Sequence, residues 1–191
     1  QKLEQIIIDT MKDGGVLMIP AFALERTQVL LLELKDMLSK HEIPNVPIFI
    51  DSTLAIKLTA VYNQYRNYFK PEIAAQFSDI TEMFRFPGMH MTPTTEDSKA
   101  INSVANPKII IAGSGMSHAG RILHHERRYL PDPKSSLLIF GYQAEGSMGR
   151  LLLNGVKRVR IMGEDVAVRA KIKALGAYSA HADQRQLLDW L

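Results

Sequence analysis

The chain has 191 residues, 46% of them apolar and 23% charged, with a net charge of +3 and no cysteine. This is an ordinary globular composition, long enough for one large domain or a domain with an appendage, and it excludes disulfides and thiolate metal sites. No apolar run approaches the roughly 18 residues of a membrane span and no signal peptide opens the chain, so no membrane partner is expected.

Gln1 is not a natural start residue, so the chain is expected to be part of something longer, and a cytoplasmic location is expected. Its charge is uneven. Residues 1–105 carry ten Lys/Arg against thirteen Asp/Glu, whereas residues 106–191 carry thirteen against seven. A basic half suits a polyanionic partner, because phosphate neutralisation dominates nucleic-acid affinity; a mixed solvated surface reads equally well.

Residues 2–12 place Leu3, Ile6, Ile7 and Met11 on one helical stripe, and Gly14-Gly15 ends that helix. Residues 16–19 are a short unbroken apolar run, the pattern of a strand covered on both faces, and Pro20 stops it. A helix over about 25–39 buries Thr27, Leu30, Leu31, Leu34, Met37 and Leu38. Residues 47–50 are the second buried strand. Asp51 follows at its carboxyl end, where α/β folds bind ligands, but Asp51 or Ser52 serves equally as a helix N-cap. The helix from Thr53 to about Tyr68 is expected to turn Leu54, Leu58, Val61 and Tyr62 inward. Residues 69–94 are the least regular, and Phe77, Phe84 and Phe86 point to a packed excursion; His90 has a surface or packing role. Thr94 opens a short helix to about Val104 with a capping box.

Residues 108–112 are the third buried strand, leading into Gly113-Ser114-Gly115, and a helix is expected from Ser117 to about Tyr129. Glycines ahead of a helix N-terminus can cradle an anion, and they also make any tight strand-to-helix turn. His124 and His125 diverge by roughly 100° on that helix and cannot share a metal face, so they read as a surface pair. Residues 135–140 are the fourth strand, followed by a glycine-bearing loop with Gln143 and Glu145 and a helix through Leu153. Residues 156–162, with Lys157, Arg158 and Arg160, close the alternation as a further strand. Residues 166–175 read as a strand and residues 183–191 as the first turns of a helix capped by Asp183. His181 stands between them in a small-residue loop, either as part of a capped turn or as a group with chemistry at a strand end. The alternation predicts an α/β fold: a mostly parallel Rossmann-like sheet with helices on both faces.

Tyr178-Ser179-Ala180-His181-Ala182-Asp183 resembles motif B of the β-CASP branch of the metallo-β-lactamase-fold RNA-processing nucleases. Residues 16–28 resemble the opening of the β-CASP domain, and residues 110–116, 120–125 and 141–150 resemble its second half, in the family's order. The resemblance implies that residues 1–161 are the inserted β-CASP domain, a lid over an RNA cleft. Residues 162–191 would then be a strand–helix segment of the metallo-β-lactamase fold, returning with motif B. It further implies a full-length ribonuclease that hydrolyses phosphodiesters and holds two zinc ions. The family's His-x-His-x-Asp-His ligand stretch does not occur in this chain, so no metal-binding residue and no cofactor is expected within it, and the chain alone is expected to be inactive. His181 resembles the family's histidine that assists phosphate binding and leaving-group protonation. Arg26, Ser114, Gly115, Arg121, Arg150 and Ser179 are the candidate phosphate contacts. The expected partners are RNA, the rest of the metallo-β-lactamase lobe, and a second copy in a homodimer. Two other readings stay open: a Rossmann-like module that grips nucleic acid without chemistry, and a non-catalytic scaffold.

Overall fold

The computed structural model describes residues 2–71, 83–176 and 184–190. Phe77, Ser179, His181 and Asp183, which carry expectations from the sequence, lie outside the described residues. The strands are β1 (Val16–Pro20), β2 (Ile48–Asp51), β3 (Met89–Met91), β4 (Lys108–Ala112), β5 (Ser136–Phe140), β6 (Arg158–Ile161), β7 (Glu164–Ala167) and β8 (Lys171–Leu175). Among the described residues, six of them form a parallel sheet in the order β3-β2-β4-β1-β5-β8, while β6 and β7 pair as a separate antiparallel hairpin. The helices are α1 (Leu3–Lys12), α2 (Arg26–Ser39), α3 (Thr53–Gln64), α4 (Thr95–Ala100), α5 (Ile122–Tyr129), α6 (Met148–Leu153) and α7 (Gln184–Trp190). The fold is the expected mostly parallel α/β one.

Strand alternation divides the core in two. Leu17, Ile19, Ile48, Ile50, Ile109, Ile111, Leu138 and Phe140 face a layer made by α1, α2 and part of α3. Their neighbours Val16, Met18, Phe49, Ile110, Ala112, Leu137 and Ile139 pack on α5, α6 and the β6–β7 hairpin. Because both faces are covered, β1 is apolar throughout and β4 and β5 are apolar after their first residues, which is why these runs were readable. One charge interrupts them. Lys108 is 1% exposed, and its Nζ donates to the carbonyl oxygens of Ile101 at 2.9 Å and Val104 at 2.7 Å, at the end of a 3-10 turn that follows α4. It also lies over the Tyr129 ring, 5.5 Å from the centroid. A buried ammonium is tolerated because its protons have acceptors.

Several expectations are corrected. Helix α3 ends at Gln64, and its buried positions are Ala55 and Thr59, with Tyr62 partly buried; Leu54 and Val61 face solvent. Thr59 and Ala55 take the inner side because Thr59 Oγ1 bonds Ala55 O and accepts from Gln28 Nε2. Residues 117–121 are not helical. Ser117 sits at φ +55°, so α5 begins at Ile122. Residues 158–161 do not join the parallel sheet, and their pattern of exposed arginines and buried Val159 and Ile161 is that of a hairpin with one covered face. The edge place beside β5 belongs to β8. The short strand β3 lies inside residues 69–94, the stretch expected to be least regular; His90 is on it, stacked on Phe49 with ring centroids 5.2 Å apart.

Candidate functional site

All six parallel strands point the same way, so the loops that follow them gather at one edge. Strand β2 passes on to β3 on one side and β4 passes on to β5 on the other. The chain therefore leaves in opposite directions from the paired residues Asp51 and Ala112, and parallel sheets bind ligands at such a switch.

Asp51 is completely buried at this point. Its Oδ1 accepts from Thr92 Oγ1 at 2.7 Å and Arg121 NH1 at 2.8 Å. Its Oδ2 accepts from Ser98 Oγ at 2.7 Å and lies 2.7 Å from His125 Nε2. Burial alone would raise this carboxyl's pKa, but the bonds from His125, Ser98 and Thr92 outweigh it and hold it at about 2. The ionised carboxylate can only accept, so His125 Nε2 is the donor. Asp51 thus ties together the end of β2, the exit of β3, α4 and α5. Ser52, not Asp51, caps α3, accepting from Ala55 N at 3.2 Å. His125 is 2% exposed rather than one of a surface pair, and His124 alone remains exposed.

Arg121 also donates NH1 to Thr92 O at 2.6 Å and NH2 to Pro93 O at 3.3 Å. Its guanidinium is largely committed to the protein. The loop that Arg121 ends is closed on itself. Ser114 N donates to Ala119 O at 3.0 Å, and Ser114 Oγ accepts from the amides of His118 and Ala119. Gly120, at φ +79°, lies so close to Gly113 O that a Cβ would stand 2.4 Å from it. Beneath the loop, Ser117 Oγ donates to Glu126 Oε1 at 2.5 Å, while Glu126 Oε2 is buried without a partner among the described residues. Burial lifts the Glu126 pKa to about 8, against the lowering effect of the Ser117 bond, so this carboxyl is neutral at pH 7. On the other side Gln143 Nε2 donates to Gly115 O at 3.0 Å, and Gly149 N to Met116 O at 3.2 Å. The loop is held from both sides.

The six sequence-predicted phosphate contacts are only partly brought together. Ser114, Gly115 and Arg121 share the β4 loop, and Arg150 stands in the first turns of α6, after the adjacent β5 loop. Arg26 opens α2 beyond the neighbouring β1 loop, its side chain 16% exposed and 3.7 Å from Glu25. Glu25 itself has φ +66°, a strained value for a residue other than glycine. Gly115 packs under the Phe22 ring of that β1 loop; a Cβ would stand 2.7 Å from it. Phe22 and Tyr142, 39% and 56% exposed, add aromatic surface to the same edge. Ser179 and His181 lie outside the described residues. The Lys157-Arg158-Arg160 cluster is elsewhere: Val168 N donates to Lys157 O three residues before β8 begins at the opposite edge, and Arg158 Nε bonds Asp165 at 2.6 Å.

What sequence reasoning missed is the Asp51–His125–Ser98–Thr92 network, with Glu126 and Gln143 behind the β4 loop. The legible signal was a carboxylate at a strand's carboxyl end; its partners are 41 to 74 positions away. As for zinc, no group of three His, Asp or Glu among the described residues converges on a point. Asp51 and His125 bond each other, and the other Asp51 oxygen is taken by Thr92 and Arg121. The described residues do not fit a zinc site.

Fold and edge geometry define an α/β domain with a parallel sheet whose loops gather at the carboxyl edge. Comparison with known proteins sharpens that class. Residues 27–152 match the Beta-Casp domain family, and residues 165–191 match the family described as the Zn-dependent metallo-hydrolase RNA specificity domain. The chain belongs to the β-CASP family of metallo-β-lactamase-fold RNA nucleases. It is 40% identical over 187 residues to ribonuclease TTHA0252 of Thermus thermophilus, covering 98% of this chain and 43% of that protein. It is 32% identical to an RNase J-like protein of Methanocaldococcus jannaschii, over all of this chain and 43% of the relative. It is also 31% identical to the transcription termination factor FttA of Thermococcus kodakarensis, covering 30% of that protein. The chain thus spans less than half the length of these relatives.

Proposed function

We propose that this chain is part of a metal-dependent ribonuclease that hydrolyses RNA phosphodiesters, and that the carboxyl edge of its sheet forms one wall of the RNA cleft. The observation that carries this reading is the succession, within one chain, of a Beta-Casp domain and an RNA specificity domain of Zn-dependent metallo-hydrolases. The name of the Thermus relative, a ribonuclease, supports it. In this reading residues 1–161 are the lid and residues 162–191 the returning segment of the metallo-β-lactamase lobe. The β6–β7 hairpin and the β5–β8 pairing both cross that boundary, so lid and return segment share structure. Two zinc ions belong to the full-length protein, and the chain alone is inactive. The cytoplasm is the proposed location, and a homodimer the proposed assembly.

The roles follow from the chemistry of the residues. A leaving ribose oxygen gains negative charge as the phosphodiester breaks, and an imidazolium within hydrogen-bond reach can donate a proton to it; His181 takes that role. Ser179, Arg26, Ser114, Gly115 and Arg150 contact phosphate. The amides of Gly115 and Met116 have no acceptor among the described residues, which supports an anion at this loop. Arg121 acts chiefly by fixing the loop to Asp51.

Photocrosslinking of RNA to the full-length protein tests the cleft wall. The expected crosslinks fall at residues 22–26, 113–117 and 142–150. Crosslinks confined to the β6–β7 hairpin would overturn the assignment and favour a nucleic-acid-binding module without a cleft.

A further inference from the structure

Starting beside the carboxyl edge and running away from it, the outer face of α3 and the 3-10 turn after it (Arg66–Tyr68) carries a stripe of large side chains open to solvent. Leu54 is 60% exposed, Val61 46%, Tyr65 54% and Tyr68 87%. Their spacing of seven, four and three positions puts them on one side of the helix. The Tyr65 and Tyr68 rings stand 6.1 Å apart with planes inclined at 57°, so they are not stacked on each other. Their neighbours Tyr62 and Phe69 turn the other way, into the core beside Phe84.

The charge of this segment runs against its surroundings. Residues 53–71 contain Lys57, Arg66 and Lys70 and no Asp or Glu, within a half of the chain that is acidic overall. Lys57 and Lys70 are exposed, and neither enters an ion pair among the described residues.

We propose that Tyr65 and Tyr68, flanked by Lys57 and Lys70, form a stacking platform for single-stranded RNA that holds a distal part of the substrate strand. The proposal rests on the reading of the chain as part of a ribonuclease. Aromatic faces accept any base and lysines neutralise the neighbouring phosphates, a combination that binds single strands without sequence preference. The charge complementarity argues for a polyanion over a second copy of this chain, since symmetric docking of two α3 faces would gather like charges. The platform is a separate site. Helix α3 starts beside Asp51 and its 12 residues carry the chain away by about 18 Å. A short RNA can occupy the carboxyl edge without reaching Tyr68, while a long one can occupy both.

The test uses full-length protein and two oligouridylates, of about 4 and about 16 nucleotides. Replacing both rings (Tyr65→Ala with Tyr68→Ala) should weaken binding of the long RNA by on the order of tenfold or more. Binding of the short RNA, and the rate of cleavage at saturating long RNA, should not change. Tyr68→Phe should keep the affinity, because stacking needs the ring and not the hydroxyl. Lys57→Gln and Lys70→Gln should each reduce the slope of log affinity against log salt by about 0.7. Equal weakening of both RNAs, or none, would overturn the platform while leaving the ribonuclease reading intact as long as cleavage persists. Altered self-association of the double alanine variant at unchanged RNA affinity would also overturn it, and assign the face to contacts between copies. Absence of RNA binding and cleavage in the unaltered protein would remove both proposals together.

Discussion

At Asp51 a carboxylate with no solvent contact receives donors from Thr92, Ser98, Arg121 and His125. Removing the charge of a buried, fully bonded group leaves cationic and polar partners without compensation, which typically costs about 3–5 kcal/mol. Asp51→Asn is therefore expected to destabilise the fold by about 3 kcal/mol or more in chemical denaturation. The acid limb of the stability curve carries a second signature. The folded-state pKa lies below the ordinary 3.8, at about 2, so the stabilisation is complete above about pH 3.8 and is lost as pH falls towards 2. The Asn variant should lack that component. An Asn variant as stable as the parent at neutral pH would show that the network adds little. From sequence, Asp51 was legible as a polar residue at a strand end, but a cap and a hub look the same there. Only folding brings Ser98 and His125 to it.

Helices and strands were legible to the extent that burial wrote a period into them. β1, β2, β4 and β5 are covered on both faces and appear as short apolar runs, with polar residues only at their ends: Asp51 closing β2, Lys108 opening β4 and Ser136 opening β5. Helix α3 misled because its inner side is built of small and hydroxylic residues, Ala55 and Thr59, while Leu54 and Val61 face solvent. The stretch after β4 misled because Ser117 adopts a positive φ and delays α5 to Ile122. The reason for that detour is the Ser117–Glu126 bond, which pins the loop onto the helix that follows it. This pairing has a pH signature opposite to that of Asp51. Glu126 has a folded-state pKa of about 8 against an ordinary 4.5, because burial penalises its charge. The folded state thus holds the proton more tightly, and this contribution is complete below about pH 4.5 and lost as pH rises through about 8. Glu126→Gln keeps an acceptor for Ser117 and cannot ionise, so its Tm should fall less than the parent's between about pH 5 and 8. A Tm profile parallel to the parent's over that range would mean that Glu126 does not titrate in the folded protein as argued.

At the level of the whole molecule, the chain is a parallel sheet whose strand-end loops gather at one edge, and its last residues match an RNA specificity domain. The family was legible in motif order, from residues 16–28 to the Tyr-Ser-Ala-His-Ala-Asp stretch at 178–183. What the remaining length of the relatives adds was not, because they are more than twice as long as this chain. The proposal that His181 protonates the leaving group while other residues hold the metal makes a separable prediction. The most direct measurement is single-turnover RNA cleavage by full-length His181→Ala, with zinc content and RNA affinity determined on the same preparation. Cleavage should slow by on the order of 10²–10⁴-fold, the usual contribution of a positioned general acid, with zinc and affinity nearly unchanged. Loss of zinc together with activity would make His181 a metal ligand, and an unchanged cleavage rate would contradict its catalytic role altogether.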